Sequence, residues 1–152
     1  MLLKALVSSA ILLFTCHGVS QTITPKVVDG DYRVELTIGD KVFIDQMTLQ
    51  GKDKPMALQE FQGEFVGTMI VPGSFTSPIT GSGYCTYEGP QCDLNFSIVA
   101  NENGQSYKVN YTAKVDAQNY KKYQSDIGPL IITGIATLED GSVLGEYTAT
   151  KQ

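Results

Sequence analysis

The feature that most constrains the fold is a period-two alternation of apolar and polar residues, repeated along most of the chain. Every second residue is apolar in Asp31–Ile38, and residues 92–100 and 105–115 follow the same pattern. Successive side chains of a strand point to opposite faces, so this pattern predicts strands with one packed face and one solvated face. No segment keeps a helical period over three turns, and we therefore expect an all-β domain.

Short turn sequences separate these runs and indicate the topology. Asn103-Gly104 and Asp140-Gly141 suit tight hairpins, because Gly and Asn tolerate positive φ. The predicted strands are 22–28, 31–38, 42–49, 55–61, 63–71, 92–101, 105–115, 129–138 and 143–150. Their spacing predicts a single antiparallel β-barrel of about eight to nine strands over residues 21–152, with a two-sheet β-sandwich as the alternative.

The first twenty residues have the pattern of a secretory signal peptide, residues 1–20. Lys4 gives a positive start, Ala5–Phe14 is apolar, and small and polar residues end at Ser20. A bilayer span needs about 20 apolar residues, so this run is too short for a transmembrane segment. We expect a periplasmic or secreted protein. The alternative is a lipid anchor on Cys16, because the residues before it loosely resemble a bacterial lipobox.

Removal of this leader would take away His17, the single histidine, and leave two cysteines. We expect Cys85 and Cys92 to form a disulfide, because an exported chain meets an oxidising compartment and Gly89-Pro90 favours a chain reversal between them. A metal site would need more ligands, and we expect neither metal nor cofactor. Catalysis by a Ser-His-Asp or Cys-His arrangement needs a histidine, so we expect a protein that is not an enzyme.

Aromatic side chains on the predicted inner faces are the candidate ligand-binding residues. They are Phe96, Tyr107, Tyr111 and Tyr147. Tyrosine joins an apolar ring to a hydroxyl, so the leading hypothesis is a non-enzymatic exported module that holds a small apolar or amphipathic ligand inside the barrel. Alternatively the rings fill the core, because eight strands enclose just enough room for side chains. The outline resembles lipocalin-like barrels, but the G-x-W motif of that family is impossible without tryptophan, and no family residues are transferred.

Residues 72–91 are rich in Pro, Gly, Ser and Thr and are expected to be mostly loop, with at most a short strand. Long loops on rigid scaffolds often carry function, so the second hypothesis is a structural or interaction protein of the cell envelope that uses this loop as its contact surface. The net charge of −5 argues against nucleic acid as a partner. Asn95-Phe96-Ser97 and Asn110-Tyr111-Thr112 match the N-glycosylation pattern on predicted outer faces, which matters only in a eukaryote.

Overall fold

Eight antiparallel strands form one closed barrel in the computed structural model of the chain, which describes residues 27–58, 60–86, 91–116 and 130–152. The strands are β1 Gly30–Ile38, β2 Lys41–Gly51, β3 Phe61–Val71, β4 Phe75–Thr86, β5 Gln91–Glu102, β6 Gln105–Asp116, β7 Ile131–Leu138 and β8 Val143–Lys151. Each strand pairs with its neighbours in the chain, and pairing of β1 with β8 closes the barrel. The all-β barrel prediction is confirmed, and the sandwich alternative is wrong.

Several predictions lie outside the described residues. They are the signal peptide, the lipidation site at Cys16, most of the predicted strand 22–28 and the Gly89-Pro90 reversal.

Alternating residues of the strands face the barrel interior and form its core. In β1, the side chains of Tyr32, Val34 and Leu36 are buried, whereas Arg33 and Thr37 between them are exposed. Burying one large apolar side chain contributes about 1.5–3 kcal/mol, so a strand in this register is strongly favoured over one shifted by a residue. The period-two pattern therefore sets which face of each strand lines the core.

The two ends of the barrel differ in how the strands are joined. Four short turns occupy one end, which we call the short-turn end: 39–40, 72–74, 103–104 and 139–142. At the opposite end, Val28, Met56 and Leu58 are completely buried and cover the interior. The Val28 N–H donates to the Met56 carbonyl at 2.7 Å, which holds this cover in place. A molecule that enters the barrel interior would therefore approach it from the short-turn end.

β4 corrects the prediction that residues 72–91 are mostly loop. Residues 72–74 form a turn, and the strand that follows has 12 residues and pairs with β3 from its first residue. Pro78 made the segment look irregular, but it lies where the ladder between β4 and β5 has not yet begun. Proline is tolerated at such a position. The Ser77 hydroxyl accepts the Val99 N–H there at 2.9 Å and links the two strands.

The predicted strand at 55–61 is also wrong. The chain after β2 is irregular, with one isolated bridge between Val27 and Ala57, and β3 begins only at Phe61. The Asp29 carboxylate accepts the N–H groups of Gly51 at 3.2 Å and Met56 at 2.9 Å. Because a side chain satisfies these donors, the segment folds over the end of the barrel instead of joining a ladder.

A disulfide joins β4 to β5 at the end opposite the short turns. Cys85 and Cys92 lie directly across from each other in the ladder, with their Cα atoms 4.0 Å apart. Both side chains are buried in the core. The predicted disulfide is confirmed, and it is consistent with an exported location, since such bonds persist in oxidising compartments.

Candidate functional site: a polar cluster inside the barrel

Three of the four predicted ligand-binding aromatics meet inside the barrel. Phe96 and Tyr111 face each other on β5 and β6, and their rings stack with centroids 4.8 Å apart. Tyr147 on β8 meets both edge-on, with its ring centroid 5.1 Å from that of Tyr111 and 6.4 Å from that of Phe96. All three side chains are buried. The β5–β6 hairpin pairs Phe96 with Tyr111, and the barrel brings Tyr147 of β8 to them.

Tyr107 does not belong to this group. It occupies an inner-face position of β6, but it lies close to the short-turn end and its side chain is 41% exposed. Its hydroxyl donates to the Gln105 side chain. Tyr107 is exposed because β6 pairs with β7 only from Val109 onward and projects beyond β7 at this end.

Asp45 is the residue that sequence reasoning missed. It lies on β2 in the same register as the buried Met47 and Leu49, and its side chain is only 4% exposed. Burial raises the pKa of its carboxyl, because the ionised form loses its water. Burial also raises the pKa of Tyr111, and the charge of Asp45 raises it further, so the two groups interact across the barrel. An acid in an inner-face register was the signal available in the sequence.

Tyr147 carries the second unusual polar group. Its hydroxyl is buried and has no hydrogen-bond partner among the described residues. Burial raises the pKa of Tyr147, and the neighbouring Tyr111 raises it further. A buried polar group left without a partner costs about 1–3 kcal/mol. Asp45, Tyr111 and Tyr147 are called the polar cluster below.

Other buried polar groups of the described core are satisfied. The Tyr32 hydroxyl donates to the Val28 carbonyl, and Ser77 accepts the Val99 N–H. By contrast, neither an ion pair nor a hydrogen bond to Asp45 is found in the described ranges, whose ion pairs join exposed residues. The unsatisfied polar groups of the core are therefore concentrated in the polar cluster.

An apolar ring lies between the polar cluster and the short-turn end, and we call it the collar. It consists of the last inner-face residues before the turns: Ile38, Phe43, Val71, Phe75, Ala100, Leu138 and Leu144. Six of them are partly buried against the core, and Phe43 is 43% exposed. An incompletely covered apolar rim above buried polar groups is an arrangement that suits an amphipathic molecule.

The polar cluster offers hydrogen bonding and charge. Burial keeps the pKa of both Tyr111 and Tyr147 above the ordinary tyrosine value, so each phenol stays protonated at neutral pH and can donate a hydrogen bond. Asp45 supplies an acceptor and, when ionised, a negative charge. The described residues contain no group of three or more His, Cys, Asp or Glu side chains close enough to hold a metal ion.

A groove of about 500 Å³ crosses the outer faces of β3 to β6. Phe65, Phe96 and Tyr111 line part of it. Its uncharged polar lining residues are Thr80, Ser82, Asn95, Ser97, Asn110 and Thr112. Both N-glycosylation patterns fall here, since Asn95 pairs with Thr112 and Ser97 with Asn110 across the ladder. The polar side chains of the groove face outward, where water can satisfy them.

Comparisons with known proteins assign no family to this chain. No protein-family model, no curated protein and no solved structure matches it significantly. Within the described segments, no helix is long and apolar enough to cross a bilayer.

Proposed function

We propose that the protein is a non-enzymatic exported binding module that holds one small amphipathic ligand at the short-turn end of its barrel. The observation that carries this proposal is the Tyr147 hydroxyl, which is buried with no hydrogen-bond partner among the described residues. Its ring meets that of Tyr111 edge-on, and the charge of Asp45 acts on Tyr111. Native proteins seldom leave a buried polar group unpaired. A ligand atom that bonds to this hydroxyl recovers the missing hydrogen bond.

The collar and the polar cluster have different roles in this proposal. The collar contacts the apolar part of the ligand, and the cluster contacts its polar head group. The stacked rings of Phe96 and Tyr111 fill part of the barrel cross-section below the collar, so in this proposal they form the floor of the site. The ligand lies above this floor, between the collar residues, and reaches the cluster from the short-turn end.

Export is part of the proposal. The Cys85–Cys92 disulfide supports it, because an oxidising compartment preserves such a bond. The signal-peptide pattern of residues 1–20 supports it independently. The alternative of an envelope interaction protein loses the contact loop on which it depended, because β4 occupies most of residues 72–91.

Blocking the collar tests the proposal. Ala100 is a small, partly buried collar residue, and Ala100→Trp should fill the space above the polar cluster. Val99→Trp, one residue away on the outer face, is the matched control because Val99 is exposed. We expect isothermal titration with n-octanol to show one bound molecule in the unaltered protein and in Val99→Trp, and at least a tenfold weaker affinity in Ala100→Trp. Absence of octanol binding, or equal binding in both variants, would contradict the proposal.

A further inference from the structure

We infer that the head group of the ligand is a protonated amine, held by the Asp45 carboxylate beside the rings of Tyr111 and Tyr147. This inference rests on the proposed binding function and names the chemical class of the ligand. It begins from the position of Asp45, an acid that a strand places on the inner face of a barrel whose other buried positions are almost all apolar.

The charge of Asp45 is uncompensated in the described part of the chain. Lysine and arginine form ion pairs there only with exposed glutamates, Arg33 with Glu35 and Lys52 with Glu64. Burial raises the pKa of the Asp45 carboxyl, and neither of the ion pairs found among the described residues involves it. A buried carboxylate is costly unless it is paired, and a bound cation would pair it.

The neighbouring rings also favour a cation. The face of an aromatic ring attracts an ammonium group within about 6 Å of its centroid. Tyr111 and Tyr147 place two such rings 5.1 Å apart, edge to face, in the same cluster as Asp45. Phe96 covers one face of Tyr111, so the cation would contact a ring face that Phe96 leaves open, where the ring and the carboxylate both attract it.

Other head groups fit the cluster less well. A carboxylate or sulfate head would meet the like charge of Asp45. A neutral alcohol can accept from the Tyr147 hydroxyl, but it leaves the Asp45 charge uncompensated. An ammonium group pairs with Asp45, and one of its remaining N–H groups can donate to the Tyr147 hydroxyl oxygen, which then acts as the acceptor. Among head groups of similar size, the amine is therefore the one that satisfies the cluster best.

A matched set of amphiphiles tests this inference: n-octylamine, n-octanol and n-octanoate, each titrated calorimetrically into the purified protein at pH 7. The three probes share one chain and differ in head-group charge. We expect octylamine to bind at least tenfold more tightly than octanol, and octanoate to bind most weakly.

Two variants separate the cluster from the general negative charge of the protein. Asp45→Asn removes the inner charge, and we expect the preference for octylamine over octanol to disappear while octanol still binds. Glu146→Gln removes one charge from an exposed position beside Tyr147 in the chain, and the preference should persist.

A second measurement uses the unaltered protein. Carbon-13 NMR of the Asp45 carboxyl follows its titration with and without octylamine. We expect octylamine to lower the pKa of this carboxyl, because a paired cation favours the ionised form.

The outcomes distinguish this inference from the proposed function. If octanol and octylamine bind with equal affinity, the amine assignment is wrong and the binding function stands. If octylamine keeps its preference in Asp45→Asn, or leaves the pKa of Asp45 unchanged, the amine binds elsewhere and the assignment is again wrong. If octanol does not bind, the proposed function itself fails.

Discussion

At the scale of single residues, Tyr32 and Tyr147 make an informative pair. Both are tyrosines on the inner face of the barrel, and both are almost completely buried. The Tyr32 hydroxyl donates to the Val28 carbonyl, whereas the Tyr147 hydroxyl has no partner in the described ranges. The same chemical group should therefore contribute to stability with opposite signs at the two positions.

Replacing each tyrosine with phenylalanine tests this expectation. We expect Tyr147→Phe to raise the free energy of unfolding by about 1 kcal/mol, because it removes an unsatisfied hydroxyl, and Tyr32→Phe to lower it by a similar amount. Urea denaturation of the two variants and the unaltered protein provides the measurement. A loss of stability in Tyr147→Phe as large as that in Tyr32→Phe would show that the Tyr147 hydroxyl already has a bonding partner.

Asp45 should make stability depend on pH. Its pKa is raised in the folded protein, so the folded state binds the proton more tightly than the unfolded state does. Stability therefore falls as pH rises from the unfolded aspartate pKa of about 3.9 to the higher folded pKa, and it levels off above that. We expect the Asp45→Asn variant not to lose stability from this cause as pH rises.

Urea denaturation from pH 3 to pH 7 provides the measurement. The Asn variant should gain stability relative to the unaltered protein as pH rises through this window, and the difference should stay constant above it. The same series on Glu146→Gln controls for the removal of one acid. A difference that does not change with pH would show that the pKa of Asp45 is alike in the two states.

At the scale of elements, β4 depends on glycine where two large rings approach it. A Cβ atom at Gly81 would lie 2.4 Å from the Asn95 carbonyl oxygen, 2.6 Å from the Phe65 ring and 2.7 Å from the Cβ of Phe96. The missing side chain is what allows Phe65 and Phe96 to pack edge to face, with their centroids 6.1 Å apart. Glycine therefore belongs to this strand for reasons of packing.

Adding one methyl group to β4 tests this role. We expect Gly81→Ala to lower the free energy of unfolding by about 2 kcal/mol or more, because the added carbon overlaps backbone and rings. Gly63→Ala on the adjacent β3 is the matched control, since a Cβ there meets only the Phe61 ring at 3.6 Å, an ordinary contact. Thermal and urea unfolding of both variants measures the loss of stability. An equal loss in Gly81→Ala and Gly63→Ala would rule out a special packing role for Gly81.

At the scale of the whole molecule, the strand pairing that closes the barrel and the disulfide connect different pairs of strands. Closure depends on β8 returning to β1, where the last strand pairs from Glu146 to Lys151. The Lys151 ammonium also donates to the Val27 carbonyl at 2.7 Å and ties the C-terminal strand to the chain before β1. The disulfide instead joins two strands that are already neighbours, Cys85 on β4 and Cys92 on β5.

Removing the disulfide should lower stability and leave the barrel closed. In the chain-entropy model, a bridge between residues seven apart contributes about 2–3 kcal/mol by restricting the unfolded chain. We expect the double variant Cys85→Ala and Cys92→Ala to lose about this much free energy of unfolding and to keep the far-ultraviolet circular dichroism of the native protein. Loss of the β spectrum in the variant would mean that the bridge is required for the fold.

The amount of the fold that could be predicted varies from strand to strand for a physical reason. β1, β3, β5, β6, β7 and β8 have strong alternation, which is local information, and their positions are largely confirmed. β4 was missed because Pro78, Gly81 and Gly83 lower its strand propensity. These residues fit the strand only in the context of β3 and β5, the strands on either side of it. The segment at 55–61 alternates like a strand, but the Asp29 carboxylate from an earlier turn takes its donors.

The sequence by itself determined the β class, the inner and outer faces of most strands and the pairing of the two cysteines, because alternation and spacing are properties of neighbouring residues. The tertiary structure alone decided which inner-face side chains share a level of the barrel. Asp45, Tyr111 and Tyr147 come from β2, β6 and β8, and only closure and strand register bring them together. The same closure leaves Tyr107 exposed at the rim, although its place in the alternation is that of Tyr111. The site therefore depends on register around the barrel, which no single stretch of sequence contains.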